Sequence, residues 1–286
     1  MLNLRHYIGN SIEFLRNVID SKRNSKADPS YKSRIEPFKL QLKATYEDYD
    51  LNFANDTLES LVSKGYSVIN KEDLLSLYAY SSAPMQALKT NVTKTSGKRV
   101  ISTCQNCTIG EVNSFDHVVT KNLFPEYSVH PKNLFPSCVK CNGYKSKFWQ
   151  ADGERLFLNL YMDKLPKIQY LFVEVIVRPL DIDAIFSIEN RNDVEQSIFN
   201  KISYHYDKLH LCQRFSENID KVVTPLIHTI SSNLKFLTLD EAVDVALNTV
   251  ARNRESFGCN YWKSILEISL LSSPDFLEIC TNAAAI

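Results

Sequence analysis

The sequence predicts an α+β protein, mostly helical, with one short finger set between two helical regions. Three observations carry that reading. Apolar residues recur at helical spacing towards both ends of the chain, two Cys-x-x-Cys pairs bracket the segment between, and only 7 glycines occur in 286 residues. So few glycines argue against an α/β architecture built on glycine-rich phosphate loops. The chain is 44% hydrophobic and 23% charged, an ordinary globular balance that excludes a disordered tail protein. At roughly 150 residues per domain, its length suits one large domain or two modest ones.

Residues 1–95 read as a helical region that supports the rest or binds a partner. Leu4, Ile8, Ile12, Leu15 and Ile19 follow a helical period, as do Leu58, Leu61 and Val62. The polar tract SKRNSKADPSYKSR loops between them before residues 35–49 resume. Asn70 is placed to cap KEDLLSLYAY, with Glu72 and Asp73 near the positive end of that helix.

Residues 96–150 change character. The alternating, β-branched run at 114–120 reads as a short strand. Pro125, Pro131 and Pro136 break any long helix, and Asn142 is placed to cap a short one reaching Lys147 and Trp149. Residues 151–286 form a mixed, mainly helical third region. Within it 156–161 and 169–177 read as strands, the second ended by Pro179. Residues 190–280 read as helices, with a break at Pro225 and a start at Thr238.

Lysine plus arginine number 33 and so do aspartate plus glutamate. The neutrality hides an imbalance, because residues 86–150 hold nine basic residues, Lys98 and Arg99 among them, against three acidic ones. A local basic excess suits a polyanion site, although lysines clustered by chance on a solvated face would give the same count. No apolar run approaches the ~20 residues that cross a bilayer. Glu13 and Arg16 interrupt the start where a signal peptide is continuously apolar. A soluble, cytoplasmic protein with no membrane partner is therefore expected. Disulfides are rare in that compartment, so Cys104, Cys107, Cys138 and Cys141 read as four thiolates for one structural Zn²⁺. Gly143 follows the second pair, where the chain is expected to bend. Cys212, Cys259 and Cys280 stand alone as small apolar residues.

Between the cysteine pairs lies Phe115-Asp116-His117-Val118, followed by Asn133 and then by Cys138-x-x-Cys141-Asn142-x-x-Lys145. In this order the chain resembles the HNH endonuclease family, whose core is a ββα-metal finger, here in a zinc-stapled form. The resemblance implies metal-dependent hydrolysis of phosphodiesters. Histidine titrates near neutrality, so His117 suits the general base. Successive strand side chains face opposite ways, which leaves Asp116 to hold a divalent ion. Asn142 would be the second ligand. One carboxylate and one amide oxygen make a hard, sparse shell suited to Mg²⁺ or Mn²⁺ acting as a Lewis acid. In the family the residue matching Asn133 orients the loop that carries the histidine. Lys145 suits a phosphate contact, and a solvated surface lysine suits the position equally.

The bland alternative for Asp116 and His117 is a buried pair that braces the finger. His130 is a bystander to the pattern. His205 and His210, five apart on an expected helix, share no face well, and Trp149 and Trp262 read as core or interface anchors.

A looser likeness extends over most of residues 70–280, through FPEYSVHPKNLFPSC, FLNLYMDKLPKIQYLFVEVIV, HYDKLHLCQRF and GCNYWKSILEISLL. These stretches are similar to a bacterial HNH subfamily often encoded in anti-phage defence loci, as in the HNH subunit of Septu-type systems, which partners an ATPase. Two departures stand out. Many members have proline shortly after Asp-His where this chain has Val119-Thr120. Many also have His-Pro-Tyr where it has Asn159-Leu160-Tyr161. The resemblance implies a nuclease acting on nucleic acid, DNA foremost, with an ATPase or other defence subunit as partner and with activity held in check. Contacts to phosphate carry no sequence readout, so weak specificity is expected. A catalytically silent zinc-finger binding or scaffold subunit, and an RNase using the same site, stay open as alternatives.

Overall fold

A computed structural model describes residues 1–94, 100–178 and 181–285. Lys98, Arg99 and Pro179, used above, lie outside the described residues. The chain is α+β, about half helical, and divides into two compact units, Asn3–Lys164 and Leu165–Ile286, the latter joined by Met1–Leu2. The boundary expected at residue 95 lies outside the described residues, and that expected at residue 150 lies within the span of the first unit. None of its described helices is long and apolar enough to cross a membrane.

The first unit opens with α1 (Ser11–Ser21), α2 (Tyr31–Ile35), α3 (Phe38–Gln41), α4 (Lys43–Ala54), α5 (Val68–Ser76) and α6 (Ala83–Val92). Helix α1 buries Ile12, Phe14, Leu15, Val18 and Ile19 along one stripe, against α3, α4 and α6. Leu4 and Ile8 precede it. The Asn10 side-chain oxygen accepts from the Ile12 and Glu13 amides, both at 2.9 Å, and a cap of that kind starts the helix there whatever the apolar period upstream. Ile8 is left exposed. Leu58, Leu61 and Val62 likewise form no α-helix, only a 3-10 turn at Leu58–Ser60. Ser67 rather than Asn70 caps α5, its hydroxyl accepting from the Asn70 amide at 3.3 Å.

Next come β1 (Ser114–His117), β2 (Leu134–Ser137), α7 (Val139–Lys145) and a minor hairpin of β3 (Gln150–Ala151) and β4 (Glu154–Arg155). Residues 156–161, expected as a strand, form a turn. Asp163 accepts from the Asn159 amide at 2.6 Å, and the Asn159 side chain accepts from the Tyr161 amide at 3.1 Å. Short polar side chains thus offer the backbone partners that a strand neighbour would otherwise supply. Buried Arg155 anchors the turn through Asp163 at 2.9 Å, and also reaches Asp56 and Glu59.

The second unit is a hairpin with helices on it. Strands β5 (Leu171–Arg178) and β6 (Asp181–Ile188) pair antiparallel from Leu171↔Ile188 to Arg178↔Asp181. Helices α8 (Gln196–Lys208), α9 (Leu211–Ser216), α10 (Asp220–Asn233), α11 (Leu239–Phe257), α12 (Trp262–Leu271) and α13 (Pro274–Ala284) follow. Helix α9 packs on β6, and α12 on β5. Trp262 is a core anchor, stacked on Phe215 at 5.3 Å. Thr238 and Glu241 form a reciprocal capping box at the start of α11. Pro225 does not break the chain but sits in the first half of α10. His205 is buried on α8, whereas His210 adopts φ 52° between α8 and α9, so the two share no helix face.

One buried acid in the first unit is costly to the fold. Glu126 is 1% exposed, and neither carboxylate oxygen has a hydrogen-bond partner among the described residues. Burial pushes its pKa up to about 6. The folded chain therefore keeps a proton that the unfolded chain releases near pH 4.5. Stability tied to this group is full below that pH and is lost as pH rises through about 6. Glu126→Gln is expected to gain about 2 kcal/mol at pH 8 and nothing at pH 4. Thermal melts of both proteins at the two pH values test this, and an equal offset at both would overturn it.

Candidate functional site

Strands β1 and β2 pair antiparallel with Ser114↔Ser137, Asp116↔Phe135 and His117↔Leu134 in register. Helix α7 follows β2 directly and packs back on β1. Its cap is Cys138, whose Sγ accepts from the Cys141 amide at 3.4 Å. Asn142, expected as the cap, lies inside the helix.

The four cysteines converge. Cys104, Cys107, Cys138 and Cys141 are all buried, with their sulfur atoms within 4.8 Å of one another. A tetrahedron with metal–sulfur bonds of about 2.3 Å has edges of about 3.8 Å, and Cys107 Sγ lies 3.9 Å from Cys138 Sγ. The cluster could hold a metal ion such as zinc. The first knuckle is shaped by backbone bonds from the Cys107 and Thr108 amides to the Cys104 carbonyl, at 3.3 and 2.7 Å. Here Gly110 packs closely on the cluster, since a Cβ would stand 3.2 Å from that of Cys138, tighter than an ordinary contact. Gly143, expected at a bend, lies within α7 with open space beside it.

Asp116 and His117 face opposite ways from β1, as strand alternation dictates. On one side Lys145 reaches back from α7. Its ammonium lies 3.0 Å from Asp116 Oδ1 and also donates to the carbonyls of His117 and Val118. Lys145 is 5% exposed, not the solvated surface lysine that the sequence equally allowed. It is an internal counter-ion for Asp116. Burial still holds the Asp116 carboxyl above its ordinary range, against the pull of that lysine. A cavity of about 20 Å³, room for one water, is lined there by Asp116, Lys145, Asn106, Asn159 and Arg155 among others. Asn142, one helical turn before Lys145, donates its side-chain N–H to the Phe115 carbonyl at 3.1 Å. Its amide oxygen is thereby left as the acceptor end.

On the other side His117 Nε2 lies 2.8 Å from the Ser128 carbonyl. A carbonyl only accepts, so Nε2 carries the hydrogen and Nδ1 the lone pair. The Tyr78 ring stands edge-on to the imidazole at 5.0 Å. Burial, and after it the charge of Lys121, pushes the His117 pKa down to about 3. The imidazole is therefore neutral throughout the physiological range, lower than the near-neutral value expected of it.

Asn133 holds the loop between these strands. It is fully buried, accepts at Oδ1 from the Val119 amide (2.7 Å) and the Tyr49 hydroxyl (3.1 Å), and donates to the carbonyls of Val119 (3.1 Å) and Tyr127 (2.9 Å). Both donors and both lone pairs are thus used. His130 stands apart, buried between Tyr46 and Tyr49 at 4.5 and 4.1 Å. Trp149 is a core residue, edge-on to Phe124 at 5.6 Å.

Tyr49, Tyr78, Lys121 and Ser128 were not legible as parts of this site. Ser128 contributes a backbone carbonyl, which no residue type announces, and the tyrosines arrive from α4 and from the segment after α5, far away in sequence.

No family model matches the chain, and no solved structure matches it. It is similar to protein ea31 of Escherichia phage lambda, with 26% identity over 184 residues. That alignment covers 59% of this chain and 61% of the phage protein's own length.

Proposed function

We propose that this chain is a metal-dependent endonuclease of the HNH type, hydrolysing phosphodiester bonds foremost in DNA. In this reading β1, β2 and α7 are the ββα-metal finger, and the cysteine cluster holds its structural zinc. The observation that carries the reading is the pair on β1. His117 offers an unprotonated Nδ1 on one face and Asp116 lies on the other, while Asn142 is tied to β1 through the Phe115 carbonyl. Four thiolates leave no open position on zinc, so that ion builds the site and takes no part in the reaction.

His117 takes the proton from the attacking water at Nδ1, while the Ser128 carbonyl holds the ring by Nε2. Burial that secures the lone pair also weakens it as a base. The incoming phosphate, a negative charge, offsets that by favouring the imidazolium. Asp116 and Asn142 supply hard oxygens of the kind that hold Mg²⁺ or Mn²⁺. When bound, such an ion stabilises charge on the phosphate and on the leaving oxygen. Asn133 positions the loop of Ser128 and Val119 and touches nothing that reacts.

A second reading is favoured by one contact. The buried Lys145–Asp116 pair is what a bracing ion pair looks like, and it supports a zinc-stapled nucleic-acid-binding subunit without activity. Incubating the full chain with plasmid DNA and with single-stranded RNA, in Mg²⁺, in Mn²⁺ and in EDTA, separates these readings. Metal-dependent cutting of plasmid is the expected result. Cutting confined to RNA makes the site an RNase, and binding without cutting under every condition favours the silent subunit. The defence role, with an ATPase or other subunit as partner, rests on the likeness of residues 70–280 to Septu-type subunits. Similarity to a phage protein lends it no support.

A further inference from the structure

With Lys145 turned inward, the site needs another cation to meet the substrate, and the charge of Lys121 is the one that reaches His117 most strongly. Lys121 follows Thr120 in a turn closed by the Leu123 and Phe124 amides, which donate to the Thr120 carbonyl at 3.2 and 3.0 Å. Its ammonium lies 4.9 Å from the centre of the Tyr78 ring, the same ring that stands edge-on to His117. A cation over an aromatic face is held in place without being neutralised. Among the described residues Lys121 has no carboxylate partner, unlike Lys32, Lys39, Lys132 and Lys145. It is half-buried, and burial lowers its pKa. An anion arriving here would therefore meet a partly desolvated charge, which binds more strongly than one freely solvated.

We infer that Lys121, seated on Tyr78 beside His117, binds the backbone phosphate of the nucleic acid that the site cuts. The inference rests on the nuclease reading for the word "cuts" but not for the phosphate contact itself.

The test uses the full chain with its structural metal, and a duplex DNA of about 30 base pairs as the probe. Binding is measured in Ca²⁺ from low to moderate salt for wild type, Lys121→Gln and Lys121→Arg. One phosphate contact contributes about 0.9 to the slope of log affinity against log salt. Lys121→Gln is expected to lower the slope by about that amount, with Lys121→Arg restoring it. An unchanged slope in Lys121→Gln, or a wild type that does not bind the duplex, overturns the proposal. Circular dichroism melts of the variants show that the fold is kept, and Lys121→Arg serves if the glutamine variant does not fold. Single-turnover cleavage in Mn²⁺ is the second measurement, where Lys121→Gln is expected to lose roughly 100-fold. Cleavage by both proteins with an unchanged slope removes Lys121 and leaves the nuclease. A lowered slope with no cleavage by wild type removes the nuclease and leaves Lys121.

Discussion

Replacing His117 by alanine is expected to lower plasmid cleavage by roughly 10³-fold or more, with no loss of bound zinc. A positioned base contributes about 10²–10⁴, and here the loss reaches further than the proton. Without the ring, the Ser128 carbonyl loses its 2.8 Å partner and the Tyr78 edge loses its neighbour. The deletion therefore also costs about 1–3 kcal/mol of stability through an unmade buried hydrogen bond. A His117→Gln variant separates the two effects. Its side-chain amide donates to a carbonyl as Nε2 does, yet has no basic nitrogen. Cleavage rates, melts and zinc content measured on all three proteins decide the matter. Glutamine is expected to recover stability and leave activity as low as alanine does. Cleavage within a few-fold of wild type in either variant would remove His117 as the base.

With zinc in the four-cysteine cluster, as proposed, stripping the metal is expected to unfold the finger and, with it, much of the first unit. Structural zinc contributes about 10–16 kcal/mol in isolated fingers, comparable with the whole stability of an ordinary domain at about 5–15 kcal/mol. Little else replaces it here. The sheet beside it is two-stranded with four residues a side, and α7 spans less than two full turns. Hydrogen bonds shared among the crowded sulfurs pull Cys107 down to about 6 and push Cys104 well up. Incubation with a strong chelator is expected to release one zinc per chain and make four further thiols reactive to a thiol reagent. It should also lower the melting temperature by more than 10 °C. A chain purified without metal that melts identically with and without chelator would sink this account.

The cluster was legible because cysteine spacing is a local property: two turns, each with its pair, meet in the fold. The helical second unit was legible for the same reason, with Thr238 and Glu241 marking a helix start three residues apart. What escaped was non-local. Strand β6 pairs with β5 across its whole length, yet DIDAIFSI carries acids that make its strand character weak when read alone. Strand β2 contains Pro136, which discourages a strand, and is tolerated because a two-stranded pair leaves each strand an outer edge. Lys145 was read as a phosphate contact or, equally, a surface lysine, because its partner, Asp116, lies 29 residues earlier. The pattern Asp-His, Asn, Cys-x-x-Cys-Asn-x-x-Lys names the residues and their order, but not that its lysine turns inward onto its aspartate.

The four hydrogen bonds of Asn133 bear on how portable this finger is. Tyr49 comes from α4, the Ser128 hydroxyl is tied to the Leu74 carbonyl on α5 at 2.5 Å, and Tyr78 donates to and accepts from the backbone of β1. Excised at its cysteines, the ββα segment would keep its metal ligands and lose every outside hold on the histidine loop. The smallest transferable piece is therefore the whole of Asn3–Lys164. A chimaera that borrows only residues 100–150 would inherit a four-cysteine knot with an unaimed imidazole.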